Sequence, residues 1–295
     1  MMKKLSLILA LVVFALAAQA QLLWKVSGNN LLRPSYILGT YHFAPASMID
    51  AIPGTAEAFE GCDVVVGEIE NENMLDPAAQ AMAAQAMIAP RDSTLDKLFT
   101  PEEYKIVEDV FNKYFGTMGV KLQQMNMMKP SAISTEMQAI QAMKYFPTLN
   151  VNDLIDMAVQ NRANEAGKPS LAFETIQEQI DLLFNAPLTE QAEQLLETCK
   201  KDDMFMTQSS KLVEAYMAQD LSQLEAIITD PEIGGDDAEA MDALIYDRNR
   251  SWADKLVKMM PERSCLVCVG AGHLPGNQGL LQLLRDRGYT VEPMQ

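Results

Sequence analysis

Two four-residue runs at opposite ends of the chain, Gly39-Thr40-Tyr41-His42 and Gly270-Ala271-Gly272-His273, hold the only two histidines in its 295 residues. Glycine fills 15 of those positions, ordinary usage for a globular chain, so chance poorly accounts for a glycine three residues before each histidine. Each run follows a short apolar, partly β-branched stretch, Tyr36-Ile37-Leu38 in one case and Cys265-Leu266-Val267-Cys268-Val269 in the other. Such stretches read as buried strands. Two more of them, Cys62-Asp63-Val64-Val65-Val66 and Ser170-Leu171-Ala172-Phe173, run on to Gly67-Glu68 and to Glu174. If the four strands lie parallel in one sheet, His42, Glu68, Glu174 and His273 meet outside its carboxyl edge, where open α/β sheets bind ligands.

The ends of the chain bound the class. Residues 1–20 read as a secretory leader: Lys3-Lys4, an apolar stretch from Leu5 to Ala17 too short to span a bilayer, then Ala18-Gln19-Ala20 as a small-residue cleavage site. No cysteine follows that site and no later stretch is apolar enough to cross a membrane, so the expected product is exported, periplasmic or secreted, without a stable membrane anchor. Residues 21–295 suffice for one domain with a helical insertion. The 23 basic and 40 acidic residues give a net charge of −17. A surface of that sign repels nucleic acid and anionic lipid and attracts divalent cations and basic peptides. The four cysteines, Cys62, Cys199, Cys265 and Cys268, allow two disulfides in an exported chain. Cys265 and Cys268 point to opposite faces of a strand, which argues against a shared metal or a thioredoxin-type site. Buried free thiols are the alternative to bridges.

Along the chain, Leu22 to Val26 reads as the first strand and Ser27-Gly28-Asn29-Asn30 as the turn into the first histidine strand. Ile49 to Phe59 has the spacing of a helix. From about 75 to 168 alanine, methionine and glutamine dominate and β-branched runs vanish, so several helices and no sheet are expected. Thr100-Pro101 marks one helix start and Pro130, Pro147 and Gly167-Lys168-Pro169 mark breaks. This methionine-rich segment reads as ordinary core or as a lid. Helices follow near Thr175 to Leu183, Thr189 to Lys201, Asp203 to Ala218, Leu221 to Thr229, Asp236 to Met260 and Gln278 to Arg287, with Gly288 as a stop and a final strand from Tyr289 to Val291. The fold class is α/β, with a sheet core built from amino- and carboxyl-terminal strand-helix units and a large helical middle.

Two imidazoles and a carboxylate suit a divalent metal that retains a water. The metal lowers the pKa of that water, and a second carboxylate can carry its proton to a leaving group. Glu68 and Glu174 are the candidates for ligand and base, in either order. Glu70 reads as a loop acid. Arg248 and Asn249 would not be selected on spacing alone.

Taken together, Gly39-Thr40-Tyr41-His42, Gly67-Glu68, Phe173-Glu174-Thr175-Ile176-Gln177-Glu178-Gln179, Arg248-Asn249 with Trp252, and Val269 through Gly276 resemble the TraB/GumN family, which is related to the animal Tiki proteins. The resemblance covers about 22–291. It implies a divalent-metal-dependent protease in which His42, Glu68 and His273 form the metal site, with manganese, cobalt or zinc as the ion. It raises Arg248 and Asn249 to candidates for substrate or oxyanion contact, and it implies the fold of erythromycin esterase and ChaN-like proteins. The expected partner is a peptide or protein substrate, and nothing in the sequence sets the oligomeric state. The leading expectation is therefore a metal-dependent peptidase. The competing ones are a haem- or peptide-binding protein without turnover, suggested by the ChaN likeness, and a structural GxxH turn beside a vestigial cleft.

Overall fold

The computed structural model describes residues 21–70, 76–147, 150, 153–233 and 237–294. The leader expected over 1–20 and the first residues of the helical insertion lie outside these. Contacts divide the described residues into two units, those within 1–68, 150–173 and 211–295 and those within 69–149 and 174–210.

The first unit contains a sheet that, among the described residues, has six strands: β1 (Leu23–Gly28), β2 (Ser35–Thr40), β3 (Val64–Gly67), β4 (Ser170–Ala172), β5 (Cys265–Gly270) and β6 (Tyr289–Pro293). Their order is β4-β3-β5-β2-β1-β6. The four strands expected to be parallel are parallel: β2 with β5, β5 with β3, and β3 with β4. The strands β1 and β6 extend the sheet in antiparallel fashion. Every residue of β2, β3 and β5 is buried. That explains why their sequences are continuous apolar runs and not alternating ones, since a central parallel strand is covered on both faces. The β1–β2 turn takes Gly28, Asn29 and Asn30 into positive φ, the region glycine and asparagine tolerate best.

Helix starts follow the signals in the sequence. Thr100 and Thr175 each form a reciprocal capping box, with Glu103 and Glu178. The helix expected over Ile49 to Phe59 is split, with a 3-10 turn at Ala46–Ala51 and an α-helix at Thr55–Gly61. Between them Pro53 lacks an amide donor and Gly54 sits at φ 81°, so the ladder cannot run through. The long helix expected from Asp236 to Met260 is an α-turn at Ala238–Met241, a π segment at Asp242–Tyr246 and an α-helix at Asp247–Met259.

The second unit is helical, with a core around Leu95, Phe111, Phe115, Leu122, Ile133 and Leu195. Met137 belongs to that core, and Met125, Met128 and Met206 pack against it, as ordinary core methionines do. The helix Ile155–Glu165, inside the segment read as an insertion, packs instead on β3, β4 and β5 in the first unit. All four cysteines are buried and free. Burial pushes the thiols of Cys199 and Cys265 up to about 12, far from the thiolate form that metal binding or disulfide exchange needs. Among the described residues no helix is long and apolar enough to cross a membrane.

Candidate functional site

The register of the sheet decides which side chains meet. With β5 lying between β3 and β2, Thr40 stands beside Gly270 and Val66 beside Val267. Glu68 follows the end of β3 by one residue, His42 that of β2 by two and His273 that of β5 by three. They converge on Gly270. A methyl group there would lie 3.2 Å from His42 Nε2, 3.4 Å from Glu68 Oε1 and 3.6 Å from His273 Cδ2. The second glycine motif thus begins with a residue whose missing side chain leaves room for the cluster.

Glu68 is 8 % exposed. Its Oε1 accepts the Gly270 N–H at 2.8 Å and its Oε2 accepts Arg248 Nη2 at 2.6 Å. Burial opposes its charge, yet the imidazoles and guanidinium around it, with the Gly270 amide, bring its pKa down to about 2. It is a carboxylate at any physiological pH.

The two histidines are held in opposite ways. The His42 side chain is 57 % exposed, with Nδ1 3.0 Å from Asp156 Oδ2 and Nε2 3.7 Å from Glu68 Oε1. Thr40 Oγ1 donates to the other Asp156 oxygen at 2.5 Å. The surrounding protein works against charging the ring, but the carboxylates of Asp156 and Glu68 outweigh this and lift its pKa from 6.5 to about 9. His273 is 4 % exposed, and its Nδ1 lies 2.8 Å from Asn249 Oδ1. Asn249 Nδ2 donates to the carbonyls of His273 and Gln278 at 3.1 and 2.9 Å, so Oδ1 is the acceptor and His273 Nδ1 carries the hydrogen. Its Nε2 faces Arg248 Nη1 at 3.1 Å. A guanidinium only donates, so this nitrogen presents its lone pair. Burial and Arg248 both disfavour the charged ring, and the pKa falls to about 3.

The helix Asp247–Met259 supplies the support from its first two turns. Arg248 also donates to Leu244 O in the π segment at 3.0 Å, Asn249 is fully buried, and Trp252 contacts both the His273 ring, at 4.4 Å between centroids, and the Arg248 guanidinium, at 4.6 Å. Phe173 stacks on Trp252 at 5.2 Å.

Of the four strand-end residues that the sequence gathered, His42, Glu68 and His273 stand together, and Arg248 and Asn249, which the family resemblance added, stand with them. Asn249, taken as a substrate contact, is turned inward and positions His273. Glu174 belongs to the second unit, where Gln179 Nε2 donates to its Oε2 at 3.3 Å. Asp156 was missed. It lies in the first turn of its helix, a common place for an acid near the positive end of the helix dipole, so nothing in the sequence marked it as the partner of His42.

The donors fit a divalent cation in kind. Two imidazoles and a carboxylate surround one glycine, and the Nδ1 of each ring is held by an oxygen acceptor, the arrangement that orients metal-ligating histidines. Among the described residues no set of three or more His, Cys, Asp and Glu side chains is spaced as a metal-holding group. Arg248 stands among these donors, its guanidinium donating to Glu68 Oε2 at 2.6 Å and lying 3.1 Å from His273 Nε2.

The chain matches the TraB/PrgY/gumN family over residues 22–293. It is 24 % identical to zebrafish (Danio rerio) Metalloprotease TIKI2 across 92 % of this chain and 60 % of that protein. It is 21 % identical to Metalloprotease TIKI1 of the same fish across 92 % of this chain and 62 % of the relative. It therefore spans about three-fifths of the length of these relatives. No solved structure matches it.

Proposed function

Because the chain belongs to the TraB/PrgY/gumN family, we propose that it is an exported divalent-metal-dependent hydrolase, a peptidase, whose working groups gather around Gly270. The observation that carries this reading is the convergence of His42, Glu68 and His273 on that glycine. The names of the two fish metalloproteases support metal dependence.

In this reading His42 Nε2, Glu68 and His273 Nε2 are the ligands of the ion. When bound, the ion supplies Lewis acidity to a scissile carbonyl and acidity to a water. The remaining steps belong to the protein. Asp156 holds His42 by Nδ1 and keeps Nε2 turned toward Glu68. Arg248 neutralises Glu68, occupies the His273 Nε2 lone pair that an ion would need, and would be available to the oxyanion that develops as a carbonyl is attacked. A carboxylate whose pKa is about 2 is a weak general base near neutrality. Glu68 is therefore read as a ligand and not as the general base. We extend the proposal to export through residues 1–20 and to a fold shared with erythromycin esterase and ChaN-like proteins.

The test is metal analysis of the purified mature chain followed by peptide cleavage with manganese, cobalt or zinc restored. The proposal expects bound metal that is lost in the His42→Ala, His273→Ala double variant, and cleavage that a chelator abolishes. Chelator-insensitive cleavage that survives in the double variant would refute it.

A further inference from the structure

The turn that carries His273 has a second side. One residue earlier, Gly272 faces away from the cluster toward the helix Leu221–Ile228, where a methyl group would come within 2.9 Å of Ile228 Cδ1. There it lines a cavity of about 200 Å³. That is smaller than the several hundred Å³ of a pocket for a drug-sized molecule, so it suits one side chain. Ile228, Met241, Ile245 and Pro275 give one part of its lining hydrocarbon, and Thr229, Asn277 and Gln278 are the polar neutral residues of the rest. Tyr246, also in the lining, closes the π segment, a helix irregularity frequent beside functional sites.

The formal charge among the lining residues is a single acid, Glu225, with no lysine, arginine or histidine to match it. Among the described residues no ion pair involves the Glu225 carboxylate. Gly276 clears space for it: this residue sits at φ 83°, and a methyl group on it would lie 2.6 Å from Glu225 Oε1. Arg285 lines a neighbouring depression with Glu225, but its guanidinium donates to Val291 O at 3.1 Å and lies over the Trp24 ring. A cavity lined by some hydrocarbon, neutral polar groups and one carboxylate without a cation beside it suits a long cationic side chain, its methylenes against the hydrocarbon and its head beside the acid.

We propose that this cavity is a subsite for a lysine or arginine side chain of the peptide bound at the His42–Glu68–His273 cluster, with Glu225 as the counterion. The assignment rests on the peptidase reading for its substrate and on the cavity itself for its chemistry. The chain's net charge of −17 draws basic peptides in the same direction.

The experiment is an NMR titration of the mature chain at low salt with two probes, Nα-acetyl-lysine N-methylamide and its norleucine counterpart, which keeps the methylenes and loses the charge. The lysine probe is expected to bind about fivefold more tightly, the scale of one partly exposed ion pair, with shifts at Gly272, Ile245 and Gly276. That preference should vanish in Glu225→Gln and shrink at high salt. Equal affinities, absence of binding by either probe, or a preference retained in Glu225→Gln overturns the subsite. If Glu225→Gln does not fold, the comparison of probes and the salt dependence on the parent chain decide alone. Binding is read without turnover. Lysine binding with no peptide cleavage therefore removes the peptidase and keeps a cation site, and cleavage without lysine binding does the reverse.

Discussion

The two GxxH turns share a motif and a position at the carboxyl end of a central strand, yet they hold their histidines in opposite states. His273 is sealed by Trp252, tied through Asn249 to two backbone carbonyls, and neutral. His42 is more than half exposed, leans on the Asp156 carboxylate and is readily charged. An amide partner in a buried place fixes a ring without giving it charge, while a carboxylate partner at an open place makes it basic. The buried turn is held as architecture and the open turn is the side that meets solvent.

The comparison can be broken most directly through activity. Replacing either histidine by alanine should lower kcat/KM for a cleaved peptide by about 10³-fold, measured with the activating metal in excess. If one variant keeps full activity, the two turns do not serve one site. Asp156→Asn sharpens the contrast. It keeps the shape and removes the charge behind His42, and is expected to cost about 10- to 100-fold in metal affinity or activity with little change in thermal midpoint. A matching loss of stability would mean that Asp156 is architectural too.

On the buried side the order reverses. Asn249→Ala strips the partners from His273 Nδ1 and from two carbonyls, and should destabilise the fold by about 2–3 kcal/mol, read from urea unfolding. A change within error there would move the anchor of His273 elsewhere. The smallest effect concerns pH in the chelated protein. His42 is raised from 6.5 to about 9, so its contribution is complete below pH 6.5 and fades as pH rises through 9. His273 is lowered to about 3, so its contribution is complete above 6.5 and fades as pH falls toward 3. Urea midpoints of His42→Gln should lose part of the alkaline decline and keep the acid one. An unchanged alkaline decline contradicts the charged state assigned to His42.

Much of this was legible in the chain. Continuous apolar runs at β2, β3 and β5 read as buried strands and are such strands, and Thr100, Thr175 and Gly288 marked helix ends through local hydrogen bonding and backbone freedom. His42, Glu68 and His273 were legible because strand ends in a parallel sheet share one edge, and Arg248 and Asn249 through the family likeness. Asp156 was not, because an acid near a helix start has an ordinary local reason to be there. The break at Pro53-Gly54 was written in two residues that the apolar periodicity around them obscured.

What the sequence determined by itself is therefore most of the element types, the buried apolar strands and the side chains at their ends, since these depend on neighbours a few residues apart. Tertiary structure decided the roles. That Arg248 stands between Glu68 and His273, that Asn249 faces inward, and that one imidazole is neutral while the other is basic all depend on burial and on partners from 24 to 180 positions away. Electrostatic state is a property of distance in space, and no local pattern carries it.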